Sequence, residues 1–233
     1  MEFYRADEIK KAKATYLIYG NPGMGKTTSV KFFPGNTLVL DIDRTSHVLK
    51  GCKNIDICEI SNISTWKDWQ ETVIQLEKEY KGVYENIVVD NISELERCLL
   101  SALGKEGKNQ GVPCQGDYQK MQFTMVNSLR YLKNLGGNII LTAWETTDLY
   151  TTPEGQQFNR SFPQLNGKVL NNVMGLCDVV ARLAINKDGE RGFVLMPTNG
   201  VFAKNQIDSR KGCLQSQLFA TGEINEPTET VPD

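Results

Sequence analysis

From residue 15 onward, short apolar runs alternate with stretches whose apolar residues recur at helical spacing. Residues 15–19 are apolar, rich in β-formers and closed by Gly20, which predicts a buried strand. Residues 27–33 predict a helix stopped by Pro34 and Gly35. A second strand follows at 37–43, its polar residues gathered at the C-terminal end, and a third at 55–60. Thr65 with Asp68 three positions later has the form of a capping box. Behind it Trp66, Trp69, Val73, Leu76 and Tyr80 share one helical face, so both tryptophans are read as core packing rather than a base-stacking platform. Further strands are predicted at 86–90 and 138–143, further helices at 92–103, 118–135 and 167–176, and a final β region at 179–185 and 193–196. Two polar stretches without periodicity, 105–116 and 146–164, are read as loops.

Strands alternating with helices at these lengths predict an α/β fold, a mostly parallel twisted sheet covered by helices on both faces and finished by a C-terminal antiparallel β-hairpin. Residues 1–220 read as a single domain, and 221–233, acidic and proline-containing, as a disordered tail.

The first strand runs directly into Gly20-Asn21-Pro22-Gly23-Met24-Gly25-Lys26-Thr27, which satisfies the P-loop pattern G-x-x-x-x-G-K-[ST] at every fixed position. Glycines let the backbone curl so that successive N–H groups face phosphate oxygens. Lys26 supplies a mobile cation, Thr27 a hydroxyl for Mg²⁺, and the following helix, with Thr28 in its first turn, its positive end. A strand before and a helix after make the match specific. ATP and Mg²⁺ are therefore the expected ligands. The strand ending in Asp90 has the form of a Walker B strand, whose carboxylate holds the metal.

Hydrolysis also needs a base to orient water. Many P-loop ATPases carry a glutamate just after the Walker B aspartate, but that position here is Asn91. Asp43, at the C-terminal end of the strand after the P-loop helix, is the leading candidate, because strand C-termini converge on the ligand crevice. Asp41, on the same strand face, stays open as the alternative. Thr142 and Glu145 end the later apolar strand and are the other polar groups expected to reach the crevice.

Composition narrows the setting. A formal net charge of −2 argues against a protein that coats nucleic acid by bulk charge. Residues 1–13 lack the apolar core of a signal peptide, and no stretch has the roughly 20 apolar residues that span a bilayer. Six scattered cysteines without C-x-x-C spacing, and His47 as the one histidine, point to reduced thiols in a cytosolic compartment.

The stretches Y-G-N-P-G-M-G-K-T-T, L-V-L-D-I-D, Y-E-N-I-V-V-D-N-I-S-E-L, N-I-I-L-T-A-W-E, D-V-V-A-R-L and V-F-A-K-N together resemble the RecA-like ATPases. They are most similar to the short phage members of that group, which include single-strand annealing proteins of the Sak type. The resemblance implies a recombination ATPase that works on single-stranded DNA as a homo-oligomer, a ring or a filament, in the host cytoplasm. It gives Asp43 the role of catalytic carboxylate and Asp90 that of Walker B acid. It also makes residues 142–145 a segment that couples nucleotide state to the loop that follows. In such proteins the loops at 105–116 and 146–164 would face DNA, with Lys105, Lys108, Arg160 and Lys168 for phosphates and Tyr150, Phe158 and Phe162 for bases. Lys204 would reach the nucleotide of a neighbouring subunit.

Two positions depart from the family. Asp43 stands where a glutamate is commoner, and Trp144 where a smaller polar residue or histidine is expected. The competing readings are a small-molecule P-loop kinase, against which the single arginine of 146–164 counts, and a nucleotide-switched interaction protein with little turnover.

Overall fold

In the computed structural model the described residues are Arg5 and 13–220. The acidic tail at 221–233 therefore lies outside them. Among the described residues ten strands form one sheet: β1 (Thr15–Gly20), β2 (Thr37–Asp41), β3 (Ile55–Glu59), β4 (Asn86–Asp90), β5 (Asn138–Thr151), β6 (Gln157–Pro163), β7 (Val179–Ile185), β8 (Arg191–Val194), β9 (Lys204–Asn205) and β10 (Gly212–Leu214). Their order is β10-β8-β7-β1-β5-β4-β2-β3, with β6 beside β5 and β9 beside β7. The pairs from β7 through β1, β5, β4 and β2 to β3 are parallel, and the C-terminal strands β8, β9 and β10 join antiparallel. This is the expected mostly parallel sheet flanked by helices.

Side-chain alternation gives the two faces separate cores. One face offers Leu17, Tyr19, Leu38, Leu40, Val89 and Leu141, and the α-helices of the described residues pack there: α1 (Thr65–Glu79), α2 (Ile92–Glu106), α3 (Gln115–Lys133) and α4 (Gly167–Leu176). Trp69 is buried among them and Trp66 packs at their margin. The other face offers Ile18, Val39, Val88 and Ile140, covered by the 3-10 helices Thr27–Phe32 and Ser46–Leu49 and by Leu218 and Phe219. Helices thus cover both faces as expected, α-helices on one and short 3-10 helices on the other.

Several elements differ from the sequence expectation. The helix after the P-loop is a six-residue 3-10 helix ending before Pro34, too short to build much of a dipole. Asp68 does not close a capping box with Thr65; it accepts the Ser61 N–H at 2.7 Å. The loop at 105–116 shrinks, because α2 runs on to Glu106 and α3 begins at Gln115, where the Asp117 carboxylate accepts the Cys114 N–H. Gly104, within α2, leaves room for the chain to pack back on it: a Cβ there would lie 2.8 Å from the Gly111 carbonyl oxygen. The larger change is at 146–164. Rather than a loop, β5 continues to Thr151 and pairs antiparallel with β6, Glu145 opposite Pro163 and Thr151 opposite Gln157. A turn closes the hairpin, with Gly155 at φ 84° and the Thr152 N–H donating to the Gln156 carbonyl. Its Thr, Leu, Tyr and Phe residues are good strand formers, but with both faces partly solvated they show no apolar alternation.

One buried acid ties α2 to the start of α4. Both carboxylate oxygens of Glu96 accept the Asn166 N–H, at 3.1 and 3.0 Å. Burial pushes the Glu96 carboxyl up to about 7, against the pull of that N–H and of Arg97. A carboxyl raised on folding favours the folded state fully below its unfolded value and loses that contribution as pH rises through about 7. The stability difference between wild type and Glu96→Gln should therefore shift against wild type between about pH 4.5 and about pH 7 and level off above. Urea unfolding across that range measures it, and a pH-independent difference would contradict the assignment.

Candidate nucleotide site

The polar groups singled out in the sequence meet at the C-terminal ends of β1, β2, β4 and β5. Sheet order explains why. β5 lies between β1 and β4, with Ile18 opposite Thr142 on one side and Val89 opposite Leu141 on the other. Thr142 thus comes level with the residue after Val89, which is Asp90. On the far side of β4, Asp41 stands opposite Asp90.

Gly23 and Gly25 take φ of 79° and 98°, the left-handed values that let the P-loop curl. Pro22 and Asn21 are exposed, and Met24 packs on the second core. The Asn21 carbonyl accepts the Met24 N–H at 3.3 Å. Lys26 is buried, and its Nζ donates to the carbonyls of Gly20 at 2.9 Å and Asn21 at 3.1 Å, closing the loop on itself. Burial lowers the Lys26 pKa, while Asp90, Asp43 and Glu145 act to raise it. Thr28 is half-buried in the turn that follows.

Asp90 is the centre of the site. Its Oδ2 accepts the Thr27 hydroxyl at 2.6 Å and the Thr45 hydroxyl at 3.3 Å, and its Oδ1 accepts the Thr142 hydroxyl. Burial raises its pKa and the three hydroxyls oppose the shift. Thr27 Oγ1 and the Asp90 carboxylate form an oxygen-only pair beside the phosphate loop, the donor type that suits Mg²⁺.

The remaining carboxylates divide by what they touch. Asp41 is buried and accepts the N–H groups of Thr45 and Ser46, each at 3.1 Å, which fixes the turn after β2. Glu145 holds Arg182 of β7 bidentately, at 3.1 and 2.9 Å. Asp43 is half-exposed and has neither backbone N–H donors nor a guanidinium. Asn91 caps α2 through its Oδ1, which accepts the Glu94 N–H at 2.8 Å, and its Nδ2 donates to Asp43. The Trp144 side chain also hydrogen-bonds Asp43. Burial first, then repulsion from Asp90 and Glu94, pushes the Asp43 carboxyl up to about 7. The two departures from the expected family pattern thus converge on one group. Asn91 and Trp144 both orient Asp43, and Trp144 is itself held by the Ser93 hydroxyl at 3.0 Å and by the Arg97 guanidinium 4.5 Å from its ring centroid.

Residues proposed for DNA and for a neighbouring subunit fall elsewhere. Lys105, Lys108 and Lys168 are exposed at the end of α2, in the short loop after it and in the first turn of α4. Arg160 is engaged: it holds Asp148 across the hairpin at 3.1 and 2.7 Å and lies over Tyr150 and Phe202. Phe162 packs against the main core, whereas Phe158 pairs with Tyr150 across the hairpin. Lys204 does not extend outward. Its Nζ donates to the carbonyls of Cys177 at 2.6 Å, Met174 at 3.3 Å and Gly175 at 3.4 Å, capping α4 within its own chain.

Three residues near the loop gave no sequence signal. Arg182 fixes Glu145, Gln215 donates to the Gly25 carbonyl and the Ser29 hydroxyl at 2.9 Å each, and Arg191 lies against Gly25. All three come from the C-terminal part of the chain, Arg182 from β7, Arg191 from β8 and Gln215 from just after β10, far from the P-loop in sequence. The Glu145–Arg182 pair predicts a stability effect. Arg182→Met leaves the buried Glu145 carboxylate without its counter-ion and should cost about 3 kcal/mol, most of it recovered in Arg182→Met/Glu145→Leu. Urea denaturation of the singles and the double measures the coupling, and additive losses would contradict it.

Among the described residues no helix is long and apolar enough to cross a membrane. No curated protein matches the sequence. A protein-family model described as an AAA domain matches residues 12–207, most of the chain and every element of the site except Gln215. With the P-loop, the Asp90 strand and the parallel sheet in place, the chain belongs to this family of AAA-domain P-loop ATPases.

Proposed function

We propose that this chain hydrolyses MgATP with Asp43 as the base that orients the attacking water, and uses the turnover to act on single-stranded DNA as an oligomer in phage recombination. The sorting of the carboxylates carries the catalytic part. Asp41, Asp90 and Glu145 each have their oxygens engaged by backbone N–H groups, hydroxyls or Arg182. Asp43 keeps an exposed edge and is oriented by Asn91 and Trp144. A carboxyl near 7 is suited to taking a proton at neutral pH.

Thr27 and Asp90 would hold Mg²⁺, which when bound draws charge off the phosphates. The curled P-loop presents its N–H groups, and Lys26 needs only to exchange two carbonyl contacts for phosphate oxygens. Because Thr142 touches Asp90 and belongs to the strand that becomes the β5–β6 hairpin, rearrangement at Asp90 pulls on the hairpin directly.

The hairpin is the proposed DNA-facing part, with Phe158 and its cross-strand partner Tyr150 as the stacking pair and the exposed Lys105, Lys108 and Lys168 as phosphate contacts. Arg160 is left out of this role, because Asp148 already neutralises it. The RecA-like motif set is the support for the recombination setting and for assembly.

Lys26→Ala should abolish tight MgATP binding, whereas Asp43→Asn should bind MgATP as wild type does and lose about 10²-fold or more in turnover. Normal hydrolysis by Asp43→Asn would overturn the base assignment. Fluorescence anisotropy with a labelled single-stranded oligonucleotide tests the DNA part. Binding should weaken steeply with salt and weaken in Phe158→Ala, and no binding at low salt sinks it.

A further inference from the structure

We propose that Arg191 is a phosphate-binding residue of the same site, reaching the triphosphate in cis from the C-terminal hairpin; the inference rests on the nucleotide reading above. The site is short of cations. Asp41, Asp43, Asp90 and Glu145 cluster around the P-loop, Arg182 is consumed by Glu145, and Lys204 caps α4 away from it. That leaves Lys26, whose charge burial disfavours. A bound triphosphate brings several negative charges of its own, so a second cation at the loop has electrostatic work to do.

Arg191 stands in the right place. It opens β8, opposite Ile185 of β7, and its side chain lies on the P-loop. A Cβ built on Gly25 would sit 3.4 Å from Arg191 Nε and 3.5 Å from its Cδ. Arg191 is exposed, and among the described residues no carboxylate or carbonyl is recorded as its partner. Its neighbour Glu190 is turned to the Asn186 side chain. An arginine laid against the phosphate cradle without a counter-ion is a guanidinium that keeps its charge at any working pH and offers a planar fork of donors to phosphate oxygens.

The segment behind it is fastened to the loop by Gln215, whose Nε2 donates to the Gly25 carbonyl and to Ser29 Oγ, and it is seated by Leu218 and Phe219 in the second core. β8 pairs with β10, so Gln215, directly after β10, and Arg191 are delivered to Gly25 together. Gly25 has no side chain to hold them off. The loop geometry at this position accommodates both backbone curl and the approach of the hairpin.

The test uses the full chain, isothermal titration calorimetry, and two probes, MgATP and magnesium tripolyphosphate. Wild type should bind both. Arg191→Ala should weaken both by about tenfold or more, and Arg191→Lys should recover part of the loss. The melting temperature without ligand should be unchanged in both variants, since Arg191 is exposed. If Arg191→Ala weakens MgATP but leaves tripolyphosphate alone, the guanidinium meets the base or ribose and the phosphate assignment is overturned. If wild type binds MgATP and Arg191→Ala binds it equally, only this inference fails. If wild type binds no nucleotide while remaining folded, the nucleotide reading fails and this one with it.

Discussion

A single buried carboxylate organises the nucleotide end of this protein. Asp90 sits at the end of β4 with almost no access to water, and its charge is held by hydroxyls from three different elements. Thr27 comes from the P-loop, Thr45 from the turn after β2 and Thr142 from β5. A buried carboxylate without donors is costly, by several kcal/mol before relaxation. The sheet order that sets β5 between β1 and β4 is what brings those donors into reach. The fold and the site are therefore one problem. Any displacement of Asp90 has to be shared by the three elements that bond to it.

The other carboxylates show how one crevice can hold several acids with separate tasks. Asp41 is spent on backbone N–H groups and so shapes the turn that carries Asp43. Glu145 is neutralised by Arg182, which pins the start of the hairpin to β7. Asp43 receives neither treatment. It is oriented by a side-chain amide and an indole but left half-open, and burial, with the nearby acids, holds its carboxyl well above the usual range. Hydrogen bonding rather than sequence position decides which acid is available for chemistry.

The parts of this arrangement that rest on local rules were legible in the sequence. The P-loop is contiguous, so its residues could be named before any fold was known. β1, β4, α4 and β7 carry enough apolar or periodic character to be read within a residue of their observed ends. Asp43 could be preferred only by elimination, after Asn91 removed the commonest site for the base. The β5–β6 hairpin was missed because Thr146 to Thr151 is solvated on both sides, so strand pairing left no alternation of apolar residues. The 3-10 helix after Lys26 was placed within a residue of its ends but not recognised as 3-10, because Pro34 marks an end and not a helix type. Arg182, Arg191 and Gln215 had no local signature at all. Their positions follow from strand pairings on the far side of β1, parallel for β7 and antiparallel for β8 and β10, a long-range outcome. Lys204 had a plausible outward role in a motif, and three free carbonyls at the end of α4 claimed it instead.

Because β5 is a single strand from the core to the hairpin, the hydrogen bond from Thr142 to Asp90 links the nucleotide end to the proposed DNA-facing surface. Hydrogen–deuterium exchange of wild type and Thr142→Val, each with and without MgATP, tests that link most directly. The account predicts that MgATP protects the P-loop in both proteins but changes exchange in the hairpin, residues 146–162, only in wild type. A hairpin whose exchange responds equally in both, or in neither while the P-loop is protected, would contradict it.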